Sequence, residues 1–170
     1  MKSDASSFLI GLDLGTTAVK GVVTDLHGQT HAEAAADTSL DCPRDGWVEA
    51  DPNEHYRTVC RVIRQLTRSV TGDVRALAMA SASGNTLLTD AEGNPLTPII
   101  NWMDRRCEQS PPDVLDELNA NEVHRVTGWP CIKTFPLAHL AWLREHRGAI
   151  YARSAHVALA ADWLIYRLTG

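Results

Sequence analysis

Near the start of the chain, two apolar runs, 8–14 and 18–23, flank Gly15-Thr16-Thr17. Runs of this length around a short Gly/Thr turn predict a β-hairpin with both strands largely buried. Asp13 interrupts the first run, and burying a carboxylate there is costly unless it is paired or binds a cation. Asp25-Leu26-His27-Gly28 predicts a turn, with glycine free to take positive φ and aspartate bonding its own backbone. A third antiparallel strand, 29–36, should follow. The same punctuation returns at Asp90-Ala91-Glu92-Gly93, between strands expected at 86–88 and 98–101, and predicts a second turn of the same type.

Between the hairpins, Asp51 suits an N-cap, Pro52 the first helical position and Glu54 the third position of a capping box. The helix should run to about Val70, with Tyr56, Val59, Cys60, Ile63, Leu66 and Val70 on one face. The apolar run 74–80 predicts a buried central strand. Farther on, Ser110-Pro111-Pro112-Asp113 breaks the chain, and two short helical pieces reach Val126. A loop, 127–135, leads to a helix whose apolar face includes Leu137, Leu140 and Leu143. A short strand at 155–159 should precede a last helix capped by Asp162, with Gly170 just past its end.

Composition narrows the class. At 170 residues, 44% hydrophobic and 22% charged, the chain is long enough for one domain with a sizeable core. A net charge of −5 gives no electrostatic footprint for nucleic acid or an anionic membrane. No apolar run approaches the roughly 18–20 residues needed to span a bilayer. Residues 1–7 are a polar lead-in without the apolar centre of a signal peptide. The four cysteines form no CxxC pair and the seven histidines no HxxxH pair, so reduced thiols, no metal centre built on them and a cytoplasmic location are expected.

The chemistry concentrates in a few stretches. Successive N–H groups of a Gly/Thr turn form an anion-binding concavity, to which Thr16 and Thr17 add hydroxyls. With Asp13 as a ligand for Mg²⁺ and Lys20 as a cation, the hairpin suggests a nucleoside triphosphate site. It is not a P-loop, which needs a longer glycine loop, Gly-Lys-Ser/Thr and a following helix. Ser81-Ala82-Ser83-Gly84-Asn85 follows the central strand, where α/β sheets gather their ligands, although an ordinary Ser/Gly turn reads the same way. Trp102-Met103-Asp104-Arg105-Arg106 places an aromatic ring, an acid and two cations directly after an apolar strand. That is unusual chemistry for a solvated face, although a helix start with a surface ion pair is the plainer alternative. Lys133 is either a contact for a polar or anionic group or a solvated cation.

Asp13-Leu14-Gly15-Thr16-Thr17-x-x-Lys20 resembles the first phosphate motif of the actin, Hsp70 and sugar-kinase superfamily. Gly46-Trp47-Val48-Glu49-x-Asp51-Pro52, Trp102-x-Asp104-Arg105-Arg106, Leu140-Ala141-Trp142-Leu143 and Asp162-Trp163-Leu164-x-Tyr166-Arg167-Leu168-Thr169-Gly170 are similar to segments of FGGY carbohydrate kinases such as xylulokinase and glycerol kinase. The resemblance runs from Phe8 to Gly170. It implies an α/β fold of ribonuclease-H-like layout: a mixed sheet with flanking helices, its parallel strands near 74–80 and 155–159, forming an N-terminal domain that is incomplete.

It further implies ATP and Mg²⁺ at Asp13, Gly15, Thr16, Thr17 and Lys20, with Asp13 as the metal ligand. A sugar or polyol is implied at Ser81, Ser83, Gly84, Trp102, Asp104 and Arg105, while Trp47 and Glu49 are read as structural. Where xylulokinases carry Gln-Met-His-Gly and glycerol kinases Gln-Arg-Glu, this chain has Ser81-Ala82-Ser83-Gly84, so the acceptor's identity stays open, with a pentulose such as xylulose as the family's default. The catalytic aspartate and the adenosine pocket of these kinases lie downstream of Gly170. The expectation is therefore the sugar- and phosphate-binding N-terminal part of an ATP-dependent carbohydrate kinase, with a homodimer possible and no catalytic base in these residues. The alternative is a non-catalytic sugar- or nucleotide-binding remnant.

Overall fold

In chain order the elements are β1 (Ser7–Leu14), β2 (Ala18–Asp25), β3 (Thr30–Asp37), β4 (Glu49–Ala50), α1 (Pro52–Arg68), β5 (Asp73–Ser81), β6 (Thr86–Thr89) and β7 (Ile99–Ile100). Then come α2 (Arg106–Gln109), a 3₁₀ turn (Asp113–Leu115), α3 (Ala120–Thr127), α4 (Pro136–His146), α5 (Gly148–Arg153), β8 (His156–Leu159) and α6 (Ala160–Thr169). A computed structural model describes residues 7–115 and 117–170. All of the polar lead-in except Ser7 lies outside the described residues. The contacts divide the chain into two units, Met1–Ser39 with Asn53–Ala82, and Leu40–Pro52 with Ser83–Gly170.

The first unit holds a sheet of order β3-β2-β1-β5, antiparallel through the first three strands and parallel between β1 and β5. Phe8, Ile10, Leu12 and Leu14 are buried, as are Val19 and Val23, and α1 supplies Val59, Val62 and Leu66. This period of two shows that the hairpin strands are buried on one face only, not largely buried as their composition suggested. The opposite face carries Leu9 and Asp13, both exposed. Gly21 explains how closely the helix approaches. A Cβ there would lie 2.8 Å from Leu66 Cδ1 and 3.1 Å from Val62 Cγ1, so a side chain would push α1 off the sheet.

The run 74–80 forms the parallel strand expected of it, but as an edge strand rather than a buried central one. Residues 73–78 are exposed, because β5 pairs only with β1 among the described residues. The two Asp-x-x-Gly turns match atom for atom. Asp25 Oδ1 accepts from the N–H groups of His27 and Gln29, Asp90 Oδ1 from those of Glu92 and Asn94, and Gly28 and Gly93 take φ of 86° and 77°.

The second unit is built on an antiparallel sheet of order β4-β7-β6-β8. The predicted strand at 155–159 exists as β8, but it runs antiparallel to β6 instead of joining the first sheet. Leu88, Ile100, Cys107, Leu115, Ala138, Trp142 and Leu143 share one core. Leu137 points outward, 47% exposed, and α4 buries Ala138, His139, Ala141, Trp142 and Leu143 instead. The last helix starts at Ala160 with Leu159 as N-cap, so Asp162 sits in its first turn, where a carboxylate still favours the helix dipole. Gly170 closes that helix with φ of 85°.

His139 gives this unit a pH dependence. It is fully buried; Thr86 spends its hydroxyl proton on the Gly84 carbonyl at 3.1 Å, so the 3.2 Å contact with His139 makes Nδ1 the donor. Nε2 has no partner among the described residues. Burial pushes the imidazole down from 6.5 to about 4. The unfolded chain therefore takes up the proton first. The stability that neutral His139 contributes is complete above about pH 6.5 and is lost as pH falls toward 4, a difference of about 2–3 kcal/mol. Urea melts at pH 7 and 4.5 should show this loss, and His139→Asn, which keeps a donor for Thr86, should shrink it.

Candidate functional site

In the first unit the hairpin register sets Asp13 directly opposite Lys20. Residues opposite each other across antiparallel strands share a face, and both side chains are exposed on the face away from α1. Neither has a hydrogen-bonding or ion-pairing partner among the described residues. Asp13 is therefore not the buried carboxylate its apolar neighbours suggested; it is an open one, two residues before Gly15. Gly15 is needed by the turn itself, since a Cβ would lie 2.8 Å from the Ala18 carbonyl oxygen. Thr38 pins the turn from outside: its hydroxyl donates to the Thr16 carbonyl at 2.8 Å and its N–H to the Thr17 carbonyl at 3.0 Å. No local pattern pointed to Thr38, because it lies beyond β3.

Ser81 belongs to this group. It pairs with Leu14 at the end of β5, so the structure sets it beside the hairpin turn and in a different unit from Ser83 and Gly84. A carboxylate and threonine hydroxyls are hard oxygen donors of the kind Mg²⁺ takes together with phosphate oxygens and water. Among the described residues no three His, Cys, Asp or Glu side chains cluster to hold a metal unaided. The donor set thus fits a metal brought in with a phosphate ligand.

In the second unit Ser83, Gly84, Trp129, Cys131, Lys133 and Phe135 are among the residues lining a cavity of about 320 Å³. The Trp129 and Phe135 rings lie 5.1 Å apart, and Lys133 is exposed at this cavity. Gly84 takes φ of 92°, and a Cβ on it would lie 3.1 Å from Trp102 Cβ. The base of Trp102 thus packs on Gly84, while 45% of the residue stays exposed. Its backbone N–H donates to Asn85 Oδ1 at 3.0 Å, a fixing contact that the Ser/Gly composition did not announce.

Asp104 and Arg105 differ in kind. Asp104 is fully buried. Its Oδ1 accepts from Arg106 N and Nε at 2.9 and 2.8 Å, and its Oδ2 from Arg106 Nη2 at 2.8 Å and Val48 N at 2.6 Å. Arg106 Nη2 also donates to Glu49 Oε1 at 2.7 Å, and its guanidinium lies 3.9 Å from the Trp47 ring centroid. Burial alone would push the Arg106 pKa down; the hydrogen bonds and charges of Asp104 and Glu49 outweigh it and hold it above its ordinary value. The carboxylate expected to meet sugar hydroxyls is thus already occupied by the chain's own donors. Arg105 is exposed and pairs with Glu108 at 2.7 Å. Of the two arginines, sequence reasoning singled out the solvated one.

A meander β3-β2-β1 with β5 added in parallel and a helix on one face is the ribonuclease-H-like layout of the actin, Hsp70 and sugar-kinase superfamily. The family model for the N-terminal domain of the FGGY family of carbohydrate kinases matches residues 8–170, and the chain belongs to that family. It is 33% identical over 171 residues to a glycerol kinase of Acinetobacter baylyi, covering 96% of this chain and 34% of that protein. It is 28% identical over 165 residues to a xylulose kinase of Staphylococcus xylosus, with the same coverage. Among solved structures, a gluconate kinase from Lactobacillus acidophilus superposes with a TM-score of 0.89 at 26% identity, over 96% of this chain and 33% of that one. A ligand-bound xylulose kinase from the same organism gives 0.88 at 26%, over 95% and 33%. The chain spans about a third of the length of these relatives.

Proposed function

We propose that this chain is the sugar- and phosphate-binding N-terminal part of an ATP-dependent carbohydrate kinase. The reaction is transfer of the γ-phosphoryl group to a hydroxyl of a sugar or polyol, with a pentulose such as xylulose as the first acceptor to try. The observation that carries this reading is the open pair Asp13 and Lys20 beside a Gly-Thr-Thr turn, in a chain of this family. Phosphoryl transfer is catalysed mainly by positioning and charge neutralisation. Lys20 and the N–H groups and hydroxyls of Gly15, Thr16 and Thr17 bind phosphate oxygens, and Asp13 holds Mg²⁺ directly or through water. The metal, when bound, neutralises charge that develops on the phosphoryl oxygens.

On the acceptor side, Ser83, Gly84 and the exposed ring of Trp102 shape the sugar contact, and Asp104 acts as a positioning residue that fixes the loop after β7. The general base that takes the hydroxyl proton comes from outside these 170 residues.

The test is nucleoside diphosphate release by the protein as its own cell makes it, with xylulose, glycerol and gluconate offered as acceptors. Turnover of none of a broad set of polyols and sugars would sink the proposal. With an acceptor in hand, Trp102→Ala is expected to raise its KM about tenfold or more, with KM for ATP changed less than about twofold. Equal effects on both would make Trp102 a packing residue.

A further inference from the structure

A second cavity in the Leu40–Pro52 and Ser83–Gly170 unit, of about 290 Å³, is lined by Arg44, Trp47, Glu49, Arg106, Trp142 and Arg147, with an aliphatic wall that includes Ile100 and Leu143. It shares no residue with those assigned to the phosphoryl-transfer reaction. Its walls are layered. Arg44 lies 5.0 Å from the Trp47 centroid, Arg106 3.9 Å from Trp47 and 5.2 Å from Trp142, and Arg147 5.8 Å from Trp142. The two indoles meet edge to face at 5.2 Å.

The three cations are not equivalent. Arg106 is buried and compensated by Asp104 and Glu49. Arg44 and Arg147 are exposed, and neither has a carboxylate within ion-pairing distance among the described residues. Two uncompensated guanidinium groups on one small cavity stand out in a chain whose net charge is −5. A guanidinium over an indole uses its face, leaving the N–H edges to donate.

We propose that this cavity binds a small organic phosphate. Guanidinium forks match phosphate oxygens in pairs, and a phosphate has three oxygens to share between Arg44 and Arg147 where a carboxylate has two. The aliphatic wall and the indole rings cover a carbon body, which inorganic phosphate lacks. The volume, at the small end of ligand cavities, admits a single phosphorylated ring or short chain.

The experiment is a titration of the protein as its own cell makes it, followed by tryptophan fluorescence and calorimetry, with phenyl phosphate, benzoate, inorganic phosphate and phenol. Phenyl phosphate is expected to saturate, with inorganic phosphate and benzoate weaker by about tenfold or more and phenol silent. Arg44→Gln with Arg147→Gln should weaken phenyl phosphate at least about tenfold while the protein still melts cooperatively, since both residues are exposed and lose only their stacking on the indoles. Arg125→Gln, an exposed arginine paired with Glu122 on α3, should change nothing. Failure of phenyl phosphate to saturate below about 10 mM, or equal binding by the double variant, overturns the site. Benzoate binding as tightly as phenyl phosphate overturns the phosphate assignment.

Discussion

Asp13→Asn, made in the protein as its own cell makes it, is expected to lower kcat by about a thousandfold or more, roughly 4 kcal/mol of transition-state stabilisation. The substitution keeps the shape of the side chain and removes only the charge proposed to hold the metal. The structure makes this an unusually clean test. Asp13 is exposed and has no hydrogen-bonding or ion-pairing partner among the described residues, so its loss costs the fold nothing. The melting temperature should stay put while turnover collapses. Near-normal turnover would refute the assignment of the hairpin to phosphate and metal, whatever the fate of the acceptor side.

The second large effect is on stability. Arg106→Met should destabilise the unit it belongs to by about 3–5 kcal/mol, because it strands two carboxylates where water cannot reach them well. Asp104 is fully buried and Glu49 is 15% exposed, and Arg106 is the ion-pair partner of both. Methionine also forfeits the stacking of the guanidinium on Trp47. Asp104→Asn added to Arg106→Met should recover part of the loss, since the amide oxygen still accepts from Val48 N–H while the buried charge is gone. Urea denaturation of the single and double variants measures this coupling. A single variant within about 1 kcal/mol of the parent would show that the cluster is not structural.

These two carboxylates show what neighbours in the chain reveal and what they do not. Asp13 was assigned its chemistry from its neighbours in the chain, Gly15, Thr16, Thr17 and Lys20, because a hairpin brings together residues only a few positions apart. Its exposure was misjudged, because burial depends on what covers a face and not on the strand's own composition. Asp104 was offered to the sugar because it follows Trp102. Its real partners, Val48 N–H and the Glu49-bound Arg106, include residues more than fifty positions away, which no local pattern reveals. Arg105 and Arg106 look alike in the chain; α2 starts between them, exposing one and burying the other.

By itself, the sequence determined the hairpin, the two Asp-x-x-Gly turns, the helix after Asp51 and the family, because each is written in side-chain period, turn chemistry or contiguous motifs. Only the tertiary structure decided the rest. It paired β5 with β1 alone among the described residues, leaving it exposed despite its apolar run, turned β8 antiparallel in another sheet, and set Ser81 beside Leu14. It also layered Arg44, Arg106 and Arg147 around two indoles. Strand direction, edge position and the pairing of charges follow from contacts between residues far apart in the chain, and the free energy of those contacts appears in no single segment.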